Sequence, residues 1–489
     1  MNSAPHIIFS KFYAASLTGL ALTLSACATP SVPPKPEFTS QIVTQNTFAN
    51  AVQEGEQSVP DWWSSFDDPI LESLVDTALR NNRNIDVAAA NLRAADALVR
   101  AARLGKSYST STSVGADLGR STGANNDVEL NLSGGIAGSW EYDAFDRIES
   151  QIKAAEYNRE SVLQAQRDIA VLVAAQTAQA YVDLRGAQQR LAVAQQNAEL
   201  QAEALSLIQE LVDNGRSSDL DLHRSETLYR TTLASLPLFQ ATIQVSIAQL
   251  AALTGVAANE ASSALPELTS VGQIPSLLSE VATGSPQDLI NRRPDIRQAE
   301  AEISRRLALS DVERARLFPR IVFNTDISAL FNGANRLDQL SSIGFGLGPT
   351  ISWEGPDLRA VRADIDISDA QTEAAISQYE QTLLTALSDV EMALARYGRE
   401  MERREDLEKA SHAAKNALEL ARLRFDEGYD DFLDVLDAQR TLLDAEDDRV
   451  QNEVLVTTYA ISAYRALGGM WTEEELSDER AETVNSLTN

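Results

Sequence analysis

Reactive and metal-binding side chains are scarce in this chain. Its 489 residues include one cysteine, Cys27, and three histidines, His6, His223 and His412. One cysteine cannot form an internal disulfide, and dispersed histidines cannot complete a cluster of His and Cys ligands. The sequence also lacks a phosphate-binding P-loop and a nucleophile elbow. It therefore predicts no catalytic residue, no metal site and no cofactor.

Positive charge is scarce as well. The chain has 41 Lys and Arg against 71 Asp and Glu, a net charge of −30. Loss of residues 1–26 would remove Lys11 and no acidic residue, which takes the net charge to −31. Phosphate backbones are bound through positive charge, so nucleic acid is not expected as a partner.

Long hydrophobic runs are absent after residue 26. We find no stretch of about 18 apolar residues there, so we expect no transmembrane helix. If the mature chain spans a membrane, it must do so as a β-barrel, because lipid does not tolerate open sheet edges.

The N-terminus has the pattern of a secretory signal, with Lys11 before an apolar stretch at 12–24. The following Leu24-Ser25-Ala26-Cys27 resembles the lipobox of bacterial lipoproteins, in which the cysteine is acylated. Cys27 is therefore the predicted lipid anchor, and the absence of aspartate after it favours the outer membrane. An ordinary signal peptide with an incidental cysteine is the alternative.

Residues 84–255 and 295–468 are two copies of one unit, offset by 211 to 213 positions. Matching segments include Ser139-Trp140-Glu141 with Ser352-Trp353-Glu354, Gly215 with Gly428, and Gly255 with Gly468. The predicted divisions are a signal peptide at 1–26, a tether at 27–60, a first repeat at 61–255, a linker at 256–293, a second repeat at 294–468 and an acidic tail at 469–489.

Each repeat contains two segments in which apolar and polar residues alternate. They lie at 107–118 and 128–142 in the first repeat and at 321–331 and 343–354 in the second. Period two with one apolar face is typical of a strand between lipid and water, so we predict hairpins at 107–142 and 319–354. Four strands cannot close a barrel, whereas three chains would supply 12. Two soluble hairpins are the alternative.

The remaining sequence predicts long helices. Residues 147–214 and 358–427 contain no proline and one glycine each, and return helices are expected at 219–253 and 432–467. We expect Pro237 to kink or break the first return helix, because it removes a backbone hydrogen bond.

Several motifs, in order and at duplicated spacing, resemble the TolC/OprM-type outer membrane factors over nearly the whole mature chain, Trp62 to Gly468. They are Trp62-Trp63 with Phe66 and Asp67, Arg292-Arg293-Pro294-Asp295-Ile296, Phe318-Pro319-Arg320-Ile321, and the segments 215–221 and 428–437. Within that family the chain is most similar to the lipoproteins that serve efflux pumps of the resistance-nodulation-division type.

The resemblance implies a mainly α-helical protomer whose tandem repeat contributes four strands to a trimeric, 12-stranded transmembrane β-barrel. A long periplasmic α-helical barrel would continue it. The implied protein is a homotrimer of the bacterial outer membrane, lipid-anchored and extending into the periplasm. Its implied partners are outer-membrane lipid, a periplasmic adaptor (membrane fusion protein) and an inner-membrane pump.

The resemblance assigns an acidic pore aperture to Asp434, Asp437 and the corresponding Asp221. Spacing i, i+3 places Asp434 and Asp437 on one helical face, and threefold symmetry would make each a ring. The alternative is that these aspartates only favour the first turn of a helix. The residues assigned to adaptor contact are Gly215, Arg216, Ser217, Leu220, Gly428, Tyr429, Asp430 and Leu433.

The tip of the second repeat departs from the family pattern at two positions. Phe425 and Asp430 stand where some members have a tyrosine and an arginine that hold the closed tip, and Asp430 is expected to repel a carboxylate. The implied function is a passive exit duct of a tripartite efflux system for small molecules such as drugs or toxic compounds. A type I secretion duct and a non-conducting, lipid-anchored helical scaffold remain alternatives, and the sequence does not indicate the substrate.

Overall fold

The computed structural model describes residues 48–49, 61–120, 128–277, 281, 285–332 and 342–469. The predicted signal peptide, the anchor Cys27, most of the tether and residues 470–489 lie outside the described residues. The described chain forms two compact units. The first comprises residues 104–151 and 306–372 and contains the strands, and the second comprises the helical remainder.

The first repeat starts with a 3-10 helix at Trp62–Phe66. Its elements are α1 (Pro69–Asn81), α2 (Arg83–Arg103), β1 (Ser109–Arg120), β2 (Val128–Tyr142), α3 (Arg147–Asp213) and α4 (Asp219–Leu253). Helix α1 begins at Pro69 because the Asp68 carboxylate accepts hydrogen bonds from the backbone N–H groups of Ile70 and Leu71, and proline suits the first helical position.

The segment between the repeats forms short helices. These are two 3-10 helices at Ala258–Glu260 and Pro266–Leu268, α5 (Ala261–Ala264) and α6 (Pro286–Arg292). The second repeat then contains α7 (Pro294–Ala315), β3 (Arg320–Asn332), β4 (Ser342–Ser352), α8 (Arg359–Asp426) and α9 (Phe432–Ala466). All four predicted strands and all four predicted long helices are present, with their ends shifted by at most two residues.

The four strands form one antiparallel sheet in the order β1-β2-β3-β4. The central pairing of β2 with β3 joins the two repeats, and its register places Trp140 opposite Phe323 and Tyr142 opposite Ile321. Ring centroids of Trp140 and Phe323 are 5.7 Å apart. The predicted apolar sides of all four strands consequently lie on the same face of the sheet.

That apolar face is exposed in the protomer. Val114 is 87% exposed, Phe345 89% and Leu347 82%. The opposite face carries small and polar residues, and there the Asn324 side-chain amide donates to the Thr350 hydroxyl at 2.9 Å. Apolar side chains left in water over a whole sheet face are unfavourable, so this face requires an apolar environment.

In the helical unit, α3 packs closely against α9. A Cβ atom on Gly186 would lie 2.3 Å from Val454 Cγ2, so the glycine permits the approach. Arg190 of α3 donates two hydrogen bonds to the Asp447 carboxylate of α9, at 2.7 and 2.8 Å. The first 3-10 helix is anchored here too, since the Trp62 ring stacks on Tyr464 with centroids 5.5 Å apart.

Each repeat ends with a similar contact at the C-terminus of its return helix. The Asn82 side-chain amide donates to the Leu253 carbonyl at 3.0 Å, and the Arg293 guanidinium donates to the Ala466 carbonyl at 3.0 Å. Both contacts satisfy a carbonyl that has no partner inside its helix.

Two features of α4 bear on the expectations from the sequence. The helix is not interrupted at Pro237, which lies inside it; one lost backbone hydrogen bond is tolerated in a helix of 35 residues. Despite the lack of a continuous apolar run, α4 contains an 18-residue window with a mean hydropathy of 1.4, of which 22% is buried. No charged residue lies between Arg230 and Glu260, so the mean hydropathy of this segment is high. Its Thr, Ser and Gln residues interrupt any continuous apolar run, which is why a search for such a run did not find it.

Length and hydropathy alone do not distinguish a membrane span from a helix whose apolar side packs against other helices. Gln240, Gln244 and Gln249 are exposed on α4, and amide side chains without partners are costly in hydrocarbon. We therefore do not assign α4 as a membrane span.

Candidate functional site

The candidate site comprises the two turns that connect each long helix to its return helix. We define tip one as residues 211–224, between α3 and α4, and tip two as residues 424–437, between α8 and α9. They are related by an offset of 213 positions. Tip one contains three acidic residues and two arginines, whereas tip two contains six acidic residues and one arginine, Arg424.

The two tips have the same backbone turn. Gly215 and Gly428 adopt the left-handed conformation, with φ of 67° and 76°. In tip one, the Gly215 and Arg216 N–H groups donate to the carbonyls of Val212 and Leu211 at 2.8 and 2.7 Å. In tip two, the Gly428 and Tyr429 N–H groups make the equivalent bonds to Phe425 and Arg424 at 2.9 and 2.8 Å. This is the Schellman pattern, in which glycine ends a helix.

A hydrophobic cluster underlies the tips. Its buried members are Ala204, Ile208, Ala414, Leu418, Phe432, Val435, Leu436 and Leu442. Phe425 packs against the cluster, and its ring meets that of Phe432 edge-on with centroids 5.3 Å apart. The phenylalanine that departs from the family pattern thus has a packing role within its own protomer.

The two predicted aperture aspartates lie at the start of α9 on its exposed side. Asp434 is in the first turn and Asp437 follows one turn later, while the intervening Val435 and Leu436 are buried. Asp437 accepts a hydrogen bond from the Arg440 guanidinium at 2.6 Å, and both side chains are well exposed. The predicted shared face is therefore present.

Asp221, the counterpart of Asp434, has local partners. The Ser218 hydroxyl caps α4 by accepting from the Asp221 N–H at 3.3 Å, and it donates to the Asp221 carboxylate at 2.6 Å. The Ser217 hydroxyl also donates to this carboxylate, at 3.3 Å. The hydrogen bond from Ser218 is the main cause that lowers the pKa of Asp221. Asp221 thus completes a reciprocal cap of the helix in which it lies.

Tip two has no such cap. Ser218 corresponds to Asp431, which is the N-cap of α9 but makes no side-chain capping hydrogen bond. Ser217 corresponds to Asp430, for which the sequence predicted only repulsion of carboxylates. The structure adds a partner that the sequence did not predict, because Arg424 of the same chain donates two hydrogen bonds to Asp430, at 2.5 and 2.7 Å. Bonding to this guanidinium lowers the pKa of Asp430.

Sequence reasoning missed Arg424, although the aligned repeats contain a signal. Leu211 and Ser217 of tip one correspond to Arg424 and Asp430 of tip two. A cation and an anion have therefore replaced an uncharged pair at the same two positions, six residues apart. Coupled replacement of this kind between repeats indicates a contact.

The predicted adaptor-contact residues surround both turns. Apolar side chains are exposed there, with Leu220 at 57%, Tyr429 at 77% and Leu433 at 48%. Gly215, Arg216 and Gly428 are also exposed, whereas Ser217 and Asp430 are half-buried. Large exposed apolar residues on a turn are typical of a surface that binds a partner. Within the described part of the chain, no group of three or more His, Cys, Asp or Glu residues is placed to hold a metal.

Comparison with known proteins gives a consistent result. The family model described as "Outer membrane efflux protein" matches residues 74–256 and 285–469. The chain belongs to this family. It is 29% identical to the outer membrane protein OprJ of Pseudomonas aeruginosa over 469 residues, 93% of this chain and 95% of OprJ. It is also 28% identical to the toluene efflux pump outer membrane protein TtgI of Pseudomonas putida, over 83% of this chain and 86% of TtgI.

Solved structures of outer-membrane channels have the same chain fold. The outer-membrane channel OprN is 32% identical, with a TM-score of 0.81 over 90% of this chain and 99% of that one. The CmeC outer membrane channel of Campylobacter jejuni is 18% identical and shows the fold alone, with a TM-score of 0.80. The chain is thus an outer membrane efflux channel protein that extends into the periplasm, from a family of channels rather than enzymes.

Proposed function

We propose that three copies of this chain form the passive exit duct of a tripartite efflux system for small molecules. The observation that carries the proposal is the four-stranded sheet with one exposed apolar face. Strands β1 and β4 each have one partner strand within the described chain, so each has a free edge. Free edges and an apolar face are compatible with lipid only if further strands close the sheet.

Three copies would supply 12 strands, an even number within the range of such barrels. The uncharged, exposed side of α4 fits this arrangement, because neighbouring protomers would cover it. Trimer formation predicts a crosslinked product three times the protomer mass, and a heat-sensitive shift in gel migration. Crosslinking that gives only monomers in detergent would contradict the trimer.

Asp434 and Asp437 are the proposed aperture. Both are exposed at the start of α9, and threefold symmetry would repeat each as a ring that favours cations. Asp221 is proposed to contribute less to the aperture, because its carboxylate already accepts hydrogen bonds from Ser217 and Ser218.

The tips are the proposed contact with a periplasmic adaptor, through which an inner-membrane pump would supply the substrate and the energy. The relatives whose names specify toluene or solvent efflux support small molecules as cargo. Acylation of Cys27 is proposed as the anchor in outer-membrane lipid.

Planar-bilayer conductance of the purified, detergent-extracted protein tests the duct. We expect a cation-preferring channel, and we expect Asp434→Ala with Asp437→Ala to raise its conductance and lower its cation preference. The matched control is Glu402→Ala with Glu405→Ala, which removes two exposed carboxylates at the same spacing on α8. These lie about 20 residues, roughly 30 Å along the helix, from tip two and beyond the screening length.

A wild-type protein without any channel activity would refute the duct. A channel that is unchanged by the aspartate substitutions, or changed equally by the control, would refute the aperture assignment alone.

A further inference from the structure

The Arg424–Asp430 ion pair of tip two has no counterpart at the equivalent positions of tip one, Leu211 and Ser217. Tip one has a different and longer ion pair, between Arg224 and Asp221 at 3.8 Å. Arg424 is the only basic residue among residues 424–437, where it accompanies six acidic residues. Asp430, the acidic residue it binds, is one of two aspartates that replace the serines of tip one. The single basic residue of tip two, Arg424, is therefore paired with one carboxylate, that of Asp430.

The geometry of the Arg424–Asp430 pair favours a stronger interaction than that of an ordinary surface ion pair. Arg424 Nε and Nη2 each donate to a different oxygen of Asp430, at 2.5 and 2.7 Å. Isolated surface ion pairs contribute little, but a two-bond fork between guanidinium and carboxylate is the exception. The pair spans the turn at Gly428, so it also connects the last turn of α8 to the residues that precede α9.

The pair lies close to the proposed aperture. Asp430 precedes Asp434 by four residues, and Asp434 is near enough to Arg424 to stabilise its charge. The Asp430 carboxylate is 21% exposed, so it faces solvent in part. Without Arg424, each protomer would present a further unpaired carboxylate beside Asp434.

From this arrangement we infer that Arg424 limits the cation preference of the aperture by neutralising Asp430. The inference rests on the proposed duct function. It assigns to Arg424 the control of the charge at the aperture. In a trimer the pair removes three negative charges from the acidic constriction. Removal of Arg424 exposes them, whereas removal of Asp430 leaves three unpaired cations instead.

Reversal potentials of the full-length protein in a planar bilayer, measured across a KCl gradient, test the inference. Arg424→Gln is expected to raise the cation-to-anion permeability ratio about twofold, because unpaired charge at a constriction attracts counter-ions. Asp430→Asn is expected to lower the ratio by a similar factor. The exchange Arg424→Asp with Asp430→Arg restores the pair and is expected to keep the wild-type ratio.

The matched control is Arg399→Gln, which removes an exposed arginine that is paired with Glu402 on α8, away from both tips. An equal change in this control would overturn the inference, because the effect would then be one of general surface charge. It would also be overturned if Arg424→Gln left the ratio unchanged while the Asp434 and Asp437 substitutions altered it; that result would leave the duct intact. Absence of any wild-type channel would overturn the proposed function and this inference together.

Arg424→Gln could alter the channel by impairing assembly rather than by changing the charge. Two further variants separate these effects: the exchange variant restores the ion pair, and Arg424→Lys keeps the positive charge. A wild-type ratio in both, together with an altered ratio in Asp430→Asn, would support the inference. An altered ratio in the exchange variant would contradict it.

Discussion

The two tips have the same backbone conformation but different side-chain interactions. Both turn at a left-handed glycine with the same pair of hydrogen bonds. Tip one then satisfies Asp221 with two hydroxyl groups, whereas tip two satisfies Asp430 with a guanidinium and leaves Asp434 exposed. Backbone geometry requires only glycine at one position, so the surrounding side chains could diverge after duplication. The difference between the repeats is therefore the place to look for their separate functions.

The largest expected effect concerns Arg185, whose counterpart in the second repeat is Tyr397. Both side chains are 1% exposed, but Arg185 donates to the Ser270 and Glu267 carbonyls of the linker at 2.7 and 3.3 Å. Arg185→Met leaves these carbonyls without their donor, and we expect a loss of about 3 kcal/mol in unfolding free energy. Thermal loss of helical circular dichroism in detergent measures it.

The control for this comparison is Tyr397→Phe, for which we expect a loss of about 1 kcal/mol or less, because the ring remains in place. Equal losses in the two variants would show that Arg185 acts by filling volume rather than by bonding to the linker.

Arg293 and Asn82 provide the next comparison, since each binds the end of a return helix. Arg293 also pairs with Asp295 at 2.6 Å and lies 3.5 Å from Asp389. Arg293→Ala therefore leaves carboxylates unpaired, and we expect it to cost about 2 kcal/mol, against about 1 kcal/mol for Asn82→Ala. Burial, followed by the charge of Asp295, already raises the pKa of the neighbouring Asp168, whereas Arg293 lowers it.

Because the pKa of Asp168 is raised, the stability cost of Arg293→Ala is expected to depend on pH. A carboxyl group whose folded pKa is raised stabilises the fold below its unfolded pKa, and this contribution is lost as the pH rises through the folded pKa. Removal of Arg293 raises the pKa of Asp168 further. The cost of Arg293→Ala is thus expected to be smaller at pH 4 than at pH 7 in the same melting experiment, and an increase at pH 4 would contradict this account.

Substitution of the glycines tests the similarity of the tips. An added Cβ on Gly215 or Gly428 meets nothing within 4 Å, so only backbone strain opposes alanine. We expect Gly215→Ala and Gly428→Ala to cost about 1 kcal/mol each. Costs that differ by more than the error of the melting curves would show that the two turns are not equivalent.

The smallest expected effect separates the tips again. Ser218→Ala removes the cap of α4 and should cost about 1 kcal/mol, whereas Asp431→Ala removes no capping bond and should cost a few tenths. The lowered pKa of Asp221 means that its contribution is present above the unfolded pKa and is lost as the pH falls through the folded pKa. The difference between these variants should therefore shrink in acid, which melting at pH 7 and pH 3 would reveal.

Local patterns in the sequence predicted much of this architecture. Alternation identified every strand and the side of each that is apolar, because period two is a property of the strand itself. The absence of proline, with a single glycine in each segment, identified the two long helices. Pairing between the hairpins, through Trp140 and Phe323, was not predicted, because alternation carries no information on which strand is the neighbour.

The placement of side chains at the tips was predictable only where it follows from regular helix geometry. The exposed face of Asp434 and Asp437 follows from helical periodicity. The partner of Asp430 does not, because Arg424 and Asp430 are connected by a turn whose side-chain directions depend on the left-handed Gly428. Pro237 lies inside α4 without ending it, so the break that local propensity allowed did not occur.

The pairing of β2 with β3 also constrains how the chain can be made. Tyr142 lies opposite Ile321, so this contact closes a loop of 179 residues. Contacts between residues so distant in sequence form late and slowly. The edge of β2 that pairs with β3 therefore stays unpaired until nearly two hundred further residues have been synthesised. Unpaired strand edges promote aggregation, so a chaperone that covers this edge would protect the chain during that interval.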